Sequence, residues 1–186
     1  STHTTLDALQ LQQKLAEFKQ AGAQVVALEA SSHGLEQGRL AATKIDTAIF
    51  TNLSRDHLDY HGTMQAYQQA KALLFTWPTL KTAILNANDP VSDDYQQQLS
   101  PDVICWRYSQ DANSDAEFVA LDVQPSLQGL IVTVKTPQGI ATIHSQLLGR
   151  FNVSNLLAVL AGLLSIGVSL EQAVQALNSV HAVRGR

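Results

Sequence analysis

The N-terminal region of the chain has the hydrophobic spacing of an amphipathic helix. Apolar residues recur at helical intervals from Leu6 to Phe18, with Gln, Lys and Glu between them, and Gly22 follows. Threonine hydroxyls suit the start of a helix because they accept a hydrogen bond from a free backbone N–H. We therefore predict a helix that is capped by Thr4 or Thr5 and ended by Gly22.

Short apolar runs then alternate with helical patterns. Residues 24–29, 46–52 and 82–85 are apolar runs, and the first two lead directly into polar stretches. Residues 64–75 have a helical pattern with few breakers. The three short apolar runs are typical of buried parallel strands with functional loops at their carboxyl ends. The alternation predicts an α/β fold, with a mostly parallel sheet flanked by helices.

A β-rich subregion covers residues 103–148. Its four runs are residues 103–108, 117–123, 130–135 and 140–144. The turn at residues 136–139 predicts a hairpin between the last two runs, so we expect a small antiparallel flap. Two helices follow, one over residues 152–165 and one from Ser169, where Gln172 completes a capping box.

Composition favours one globular domain over residues 1–186, because 45% of the residues are hydrophobic. The net charge of -4 gives no basic excess, which argues against nucleic acid or anionic lipid as a partner of the whole surface. Cys105 is the single cysteine, so no internal disulfide forms. No apolar run approaches the ~20 residues that cross a bilayer, and no signal-peptide pattern opens the chain, so we expect a cytoplasmic protein. Ser1 is not a natural start, which indicates a segment excised from a longer protein.

The densest group of chemically active side chains lies in residues 51–62. Two His, two Asp, an Arg and a Tyr fall there in one predicted loop after a strand. The alternative is an ordinary polar connection, in which Asp56 caps a turn and His57 is a surface residue. Glu29 ends another predicted strand, and a carboxylate in such a place needs a partner, for which a divalent cation is suitable. Oxygen ligands favour magnesium or manganese and imidazole favours softer ions, so these two residues do not identify the metal.

Other polar residues have two interpretations each. Lys71 lies in a predicted helix, where a lysine is by default exposed and solvated. Arg39 is able to hold a phosphate or carboxylate with two hydrogen bonds, whereas Ser31 caps a helix or contacts a ligand. Asn152 and Asn155 lie three residues apart at the start of an apolar helix, so we expect one to be an N-cap while the other faces a ligand or packs.

Five segments of the sequence closely resemble the Mur ligase family. They are Glu29-Ala-Ser-Ser-His-Gly-Leu, Gln37-Gly-Arg39, Phe50-Thr-Asn-Leu-Ser-Arg-Asp-His-Leu-Asp-Tyr-His-Gly62, Ala70-Lys-Ala-Leu-Leu-Phe75 and Gly149-Arg-Phe-Asn-Val-Ser-Asn155. Their order and spacing fit the branch that extends UDP-N-acetylmuramoyl-L-alanyl-D-glutamate in peptidoglycan synthesis. The resemblance covers residues 3–186 and implies the central, ATP-binding domain of such a ligase.

The resemblance also implies roles for individual residues. The residues that would contact the UDP-muramoyl-dipeptide are Thr4, Thr5, Ser31, Gln37 and Arg39. The catalytic residues would be Glu29 and His57, which hold Mg²⁺, and Lys71, which becomes carbamylated and faces the metal as a carbamate. The residues near ATP would be Asn86, Asn152, Asn155 and Arg186.

The implied reaction is ATP-dependent amide-bond formation through an acyl phosphate. Its substrates would be the UDP-muramoyl-dipeptide, ATP and a diamino acid. The resemblance also implies that the full-length enzyme is a monomer. Overall similarity favours meso-diaminopimelate over L-lysine. The family's Gly-Thr-x-Gly-Lys-Thr loop and its C-terminal domain are missing from this chain, so we expect the chain alone to be inactive. Ala30 and Asn88 also depart from the expected Val and Asp, and Asn88 weakens a nucleotide role for its loop. The alternatives are a folylpolyglutamate-type or cyanophycin-type ligase, or a non-catalytic binding domain.

Overall fold

The computed structural model describes residues 5–54 and 58–181, except for the side chain of Leu58. The chain divides into two compact units. The first unit is made of Ser1–Asp46 and Ser54–Leu80, and the second is made of Thr47–Leu53 and Lys81–Arg186. The predicted single domain over residues 1–186 therefore stays a prediction.

The described part of the first unit is helical. Its helices are α1 (Ala8–Gln20), α2 (Ser32–Glu36), α3 (Leu58–His61) and α4 (Met64–Ala72). The predicted first helix is confirmed, and Gly22 follows it with a φ of 86°, a left-handed conformation that glycine adopts without strain. The predicted cap at Thr5 is wrong, because the Asp7 side chain accepts the hydrogen bond from Gln10 N, whereas the Thr5 hydroxyl faces Glu29 and Ser31.

The predicted strand over residues 24–29 is also wrong, since this segment is irregular. Its apolar side chains are exposed, with 57% for Val25 and 38% for Val26. A strand requires a hydrogen-bonded neighbour, and the described part of the first unit contains no strand to supply one. One apolar cluster in the described part of this unit is built on Leu11, Leu35 and Leu40.

The second unit is built on a six-stranded sheet. Its strands are β1 (Thr47–Phe50), β2 (Thr82–Asn86), β3 (Ile104–Ser109), β4 (Phe118–Ser126), β5 (Gly129–Thr136) and β6 (Gly139–Ser145), and they are adjacent in sequence order. Neighbours from β1 to β4 are parallel, and those from β4 to β6 are antiparallel. The predicted α/β class and the hairpin are confirmed. The antiparallel strands continue the parallel sheet, because β4 pairs with β3 through Phe118 and Val119.

Three helices accompany this sheet in the described residues. They are α5 (Val91–Gln97), α6 (Phe151–Ser165) and α7 (Leu170–Asn178). The α6 side chains Leu157 and Leu160 are fully buried in one core cluster with Ile84, Tyr108 and Val132 of the sheet. The predicted capping box between Ser169 and Gln172 starts α7.

Cys105 is half-buried in β3. Burial raises the pKa of its thiol, and the Glu117 carboxylate adds to this effect. None of the helices in the described residues is long and apolar enough to cross a membrane.

Candidate functional site

Thr5 joins the N-terminal segment to the loop before α2. The Thr5 side chain is buried, and its hydroxyl lies 3.1 Å from the Glu29 carbonyl oxygen and 2.8 Å from the Ser31 hydroxyl. The same oxygen accepts a hydrogen bond from the Ser31 backbone N–H at 2.9 Å. Ser31 caps α2, because its hydroxyl accepts from Gly34 N at 3.1 Å. A Cβ at Gly34 would lie 2.8 Å from the Thr5 methyl group, so this contact requires a glycine.

Arg39 and Gln37 extend this group of polar contacts. The Arg39 Nη1 atom donates to the Thr5 carbonyl oxygen at 2.8 Å. Its Nε and Nη2 atoms both donate to the Gln37 Oε1 atom, at 3.0 and 2.5 Å. The Gln37 amide in turn donates to the Tyr60 hydroxyl at 3.1 Å. The structure therefore brings together four of the five predicted substrate residues, Thr5, Ser31, Gln37 and Arg39, whereas Thr4 lies outside the described residues.

Lys71 is half-buried on α4, so the default expectation of a fully solvated ammonium is wrong. Burial lowers the pKa of the Lys71 amine, and the nearby Glu29 carboxylate acts in the opposite direction. The Nζ atom lies 5.3 Å from the centre of the Tyr67 ring. Glu29 itself is exposed and follows the irregular segment, not a buried strand as expected. His57, the other predicted metal ligand, lies outside the described residues, as does Asp56.

An aromatic cluster beside these residues consists of four side chains for which no role was predicted: His33, Tyr60, His61 and Tyr67. The His33 and Tyr60 ring centres are 3.9 Å apart, and the His61 ring stacks on Tyr67 at 5.3 Å with a 22° angle between the planes. The His61 side chain is only 1% exposed. The available signal was the second histidine of residues 51–62, together with a tyrosine one helical turn before Lys71.

A second polar group lies at the end of β2 in the second unit. Asn86 is buried, and both ends of its amide are used: Nδ2 donates to the Thr51 carbonyl oxygen at 2.6 Å, and Oδ1 accepts from Asn88 N at 3.0 Å. Asn88 donates to the Ser109 hydroxyl at 3.0 Å and accepts from Gln110 N at 2.8 Å. An aspartate at position 88 would lack this donor, and the Ser109 hydroxyl would then donate instead.

The start of α6 carries the remaining predicted nucleotide residues. Arg150 is the N-cap residue and makes no side-chain cap hydrogen bond with the described residues, so the suggestion of an asparagine N-cap is wrong. Asn152 donates to the Leu148 carbonyl oxygen at 2.8 Å, and Asn155 donates to the Asn152 side chain at 3.0 Å. Arg150 also borders an open cleft of about 570 Å³ with Asn88, Asp111 and Asp122. Arg186 lies outside the described residues.

The sequence also matches a known protein family. A sequence profile described as the Mur ligase middle domain matches residues 1–163. The chain belongs to the Mur ligase family. This match includes the motif-bearing segments of the first unit and the asparagines at the end of β2 and the start of α6.

Curated Mur ligases resemble the chain along almost all of its length. It is 45% identical over 184 residues to the UDP-N-acetylmuramoyl-L-alanyl-D-glutamate--2,6-diaminopimelate ligase of Ectopseudomonas mendocina, covering 99% of the chain and 37% of that protein. A Pseudomonas aeruginosa protein of the same name is 45% identical over 187 residues, with 99% and 37% covered. The chain thus spans somewhat more than a third of the length of these relatives.

Solved Mur ligase structures share the fold. A structure of a UDP-N-acetylmuramoyl-L-alanyl-D-glutamate--2,6-diaminopimelate ligase has a TM-score of 0.92 and 41% identity, over 100% of this chain and 38% of that one. Thermotoga maritima MurF ligase in complex with ADP has a TM-score of 0.63 over 79% of this chain and 33% of that one. At 18% identity this second likeness shows the fold alone.

Proposed function

We propose that the chain is the middle domain of an ATP-dependent ligase that adds a diamino acid to UDP-N-acetylmuramoyl-L-alanyl-D-glutamate. The observation that carries this proposal is one hydrogen-bonded group in the first unit, in which Thr5 joins Glu29, Ser31 and Arg39, while the Glu29 carboxylate also acts on the pKa of the half-buried Lys71 amine. The names of the relatives, at up to 45% identity, support this substrate and favour diaminopimelate as the added residue. The proposal retains the cytoplasmic location expected from the sequence.

The contacts of Arg39 suit an anionic substrate group. A guanidinium carries five N–H donors, and the three hydrogen bonds to Thr5 and Gln37 use three of them. These bonds fix the plane of the guanidinium, which leaves two donors to hold a phosphate or carboxylate oxygen of the substrate. Gln37 and Ser31 lie within the same hydrogen-bonded group, so the substrate residues are held in place before the substrate arrives.

Lys71 has the environment of an amine that is carbamylated. A lowered pKa increases the fraction of neutral amine, and only the neutral nitrogen has the lone pair that attacks carbon dioxide. The N–C bond forms while one C=O electron pair moves to oxygen, and the nitrogen gives its proton to solvent. The product is an anion in place of a cation.

Magnesium is the metal in this proposal, because its ligands would include oxygens of Glu29 and of a carbamate on Lys71. Glu29 has an exposed carboxylate whose charge acts on Lys71, so a carbamate on Lys71 would add a second anionic oxygen group in the same environment. Hard oxygen donors are the ligands that Mg²⁺ prefers. Glu29, the Lys71 carbamate and His57 would hold the ion, which would offset negative charge on the phosphates of ATP.

The nucleotide residues in the proposal are Asn86, Asn152, Asn155 and Arg186. In the reaction, the γ-phosphoryl group of ATP passes to the D-glutamate carboxylate to give an acyl phosphate, and the incoming amine then displaces phosphate. The chain's own contribution is to orient the muramoyl-dipeptide through Arg39 and Gln37 and to supply the Lys71 anion. We infer that the chain alone does not turn over.

Calorimetry with UDP-N-acetylmuramoyl-L-alanyl-D-glutamate tests the proposal. The titration uses the chain joined to the flanking regions of the Ectopseudomonas mendocina ligase, with Arg39→Ala and a Lys14→Ala control. Lys14 is an exposed cation of the same unit that pairs with Glu17 at 2.6 Å, so its loss matches the change in charge. We expect Arg39→Ala to weaken binding about tenfold or more, as for a charged hydrogen bond, and Lys14→Ala to leave it unchanged. Equal affinities for all three proteins, or no binding by the unsubstituted one, would contradict the proposal.

A further inference from the structure

His61 is a buried imidazole with a partner at each nitrogen. It is the last residue of α3, and its side chain is 1% exposed. Its Nε2 atom lies 2.9 Å from the hydroxyl of Ser32, which is itself buried. Its Nδ1 atom lies 3.5 Å from a carboxylate oxygen of Glu36. Both partners belong to α2, so the ring cannot rotate or tilt without losing a contact to that helix.

The face of the same ring meets α4. His61 stacks on Tyr67, whose side chain is 4% exposed, with ring centres 5.3 Å apart. Lys71 follows Tyr67 by one helical turn and places Nζ 5.3 Å from the centre of that ring. A continuous set of contacts therefore runs from α2 through His61 and Tyr67 to the Lys71 amine.

We propose that His61 is a positioning residue that holds the Lys71 amine in place through the Tyr67 ring. This inference rests on the proposed function, in which Lys71 is the amine that reacts with carbon dioxide, and it deepens that function by one residue. His61 itself contacts no reacting atom. Its ring limits the movement of Tyr67, and a displacement of about 1 Å at a reacting group is enough to cost on the order of 100-fold in rate.

Nuclear magnetic resonance of the chain with ¹³C-labelled lysine measures the position of Lys71 directly. The Tyr67 ring shields the end of the Lys71 side chain, so its methylene signal is expected upfield of the signals of exposed lysines, and Lys71→Arg identifies it. The variant His61→Phe keeps a ring but removes both nitrogen contacts. His61→Gln retains an amide that reaches Ser32, and Ser32→Ala removes the partner without changing His61. His144→Phe is the matched control, because His144 is an exposed histidine of the second unit.

A second readout is the carbamate carbon that appears when the same proteins are equilibrated with ¹³C-bicarbonate. We expect His61→Phe and Ser32→Ala to move the Lys71 signal towards those of exposed lysines, and to lower the carbamate formed at a given bicarbonate concentration by about tenfold, as for other supporting residues. His61→Gln should restore part of both signals, and His144→Phe should match the unsubstituted chain.

The outcomes separate the two proposals. An unchanged Lys71 signal in folded His61→Phe or Ser32→Ala would overturn the role of His61, because a merely structural contribution lowers the unfolding midpoint without moving that signal. If His61→Phe does not fold, Ser32→Ala gives the same decision. An upfield Lys71 signal without carbamate in the unsubstituted chain would overturn the proposed chemistry of Lys71, while the signal still decides the position.

Discussion

Different interactions stabilise the interior of each of the two units. In the second unit, six strands and α6 enclose an apolar cluster in which Ile84, Leu157 and Leu160 are fully buried. In the first unit, besides buried apolar side chains such as Leu11 and Phe75, hydrogen bonds between distant polar side chains join the segments, such as Thr5 with Ser31 and His61 with Ser32. Among the described residues, those proposed to bind the substrate and the lysine proposed to be carbamylated belong to the first unit, whereas the asparagines proposed to contact ATP belong to the second.

This difference separates the residues that mainly stabilise the fold from those proposed to act on a ligand. A loss of volume in a buried apolar cluster lowers the free energy of unfolding, but such a cluster offers no polar group to a ligand. A set of hydrogen-bonded polar side chains contributes less net free energy, but it fixes donors and acceptors in directions that a charged ligand needs. Substitutions in the two units should therefore differ in size and in kind.

The largest expected effect is in the core of the second unit. Leu157→Ala should lower the free energy of unfolding of that unit by about 3 kcal/mol, because it removes a fully buried side chain and leaves a cavity. The matched control is Val159→Ala on the same helix, where the side chain is 47% exposed and the change should be about 0.5 kcal/mol or less. Urea unfolding followed by circular dichroism measures both. Equal losses would show that the buried face of α6 does not stabilise this unit more than its exposed face.

The next effect depends on pH and also belongs to the second unit. Burial raises the pKa of Tyr108 to about 12, and its hydroxyl donates to the Phe50 carbonyl oxygen at 3.0 Å. In the unfolded chain a tyrosine ionises near pH 10, so unfolding is favoured progressively above that pH. The contribution is fully present below pH 10 and is lost as the pH approaches 12, by no more than about 3 kcal/mol.

Tyr108→Phe is the variant that tests this dependence. It should be less stable than the unsubstituted chain at pH 8, since the Phe50 carbonyl loses its donor, and the difference should shrink between pH 10 and pH 12. A constant difference across that range would mean that Tyr108 does not cause the alkaline loss. Unfolding midpoints at a series of pH values give the answer.

The smallest of the three effects is in the first unit. Gly34→Ala places a Cβ 2.8 Å from the Thr5 methyl carbon, and we expect a loss of about 1–2 kcal/mol from this overpacking. Thr5→Ser keeps the hydroxyl and removes that methyl group, so the double variant should regain part of the loss. Gly162→Ala is the control in the second unit, where the added Cβ lies 3.1 Å from the flexible end of Ile49 and suits a helix. No recovery in the double variant would show that the Thr5 contact is not the cause.

Features that depend on neighbouring residues in the sequence were predicted in part: Asp7, not Thr5, caps α1, and neither asparagine caps α6. The capping box of Ser169 and Gln172 and the hairpin of β5 and β6 are encoded within a few residues, and both are present. The irregular segment 24–29 was misjudged because periodicity reports the hydrophobicity of a run but not the presence of a partner strand. The hydrophobicity of a run alone therefore does not establish that the run is a strand.

The candidate site was predictable only in part, for the same reason. The motifs pointed to Ser31, Gln37 and Arg39, which the structure brings together with Thr5. The burial of Lys71 and the stacking of His61 on Tyr67 depend on how α2, α3 and α4 pack, which no local pattern specifies. The proposed roles of Thr4, His57 and Arg186 stay predictions, since these residues lie outside the described ones.

The half-buried Cys105 thiol in β3 allows the opening of the sheet to be followed through its rate of chemical modification. Because Cys105 is the single cysteine and its pKa is raised, alkylation by a maleimide should be slow in the folded protein and fast once β3 separates from β2. The labelling rate then measures how often this part of the sheet opens, without any probe having to be introduced. A ligand that binds the folded second unit should therefore lower the labelling rate of Cys105.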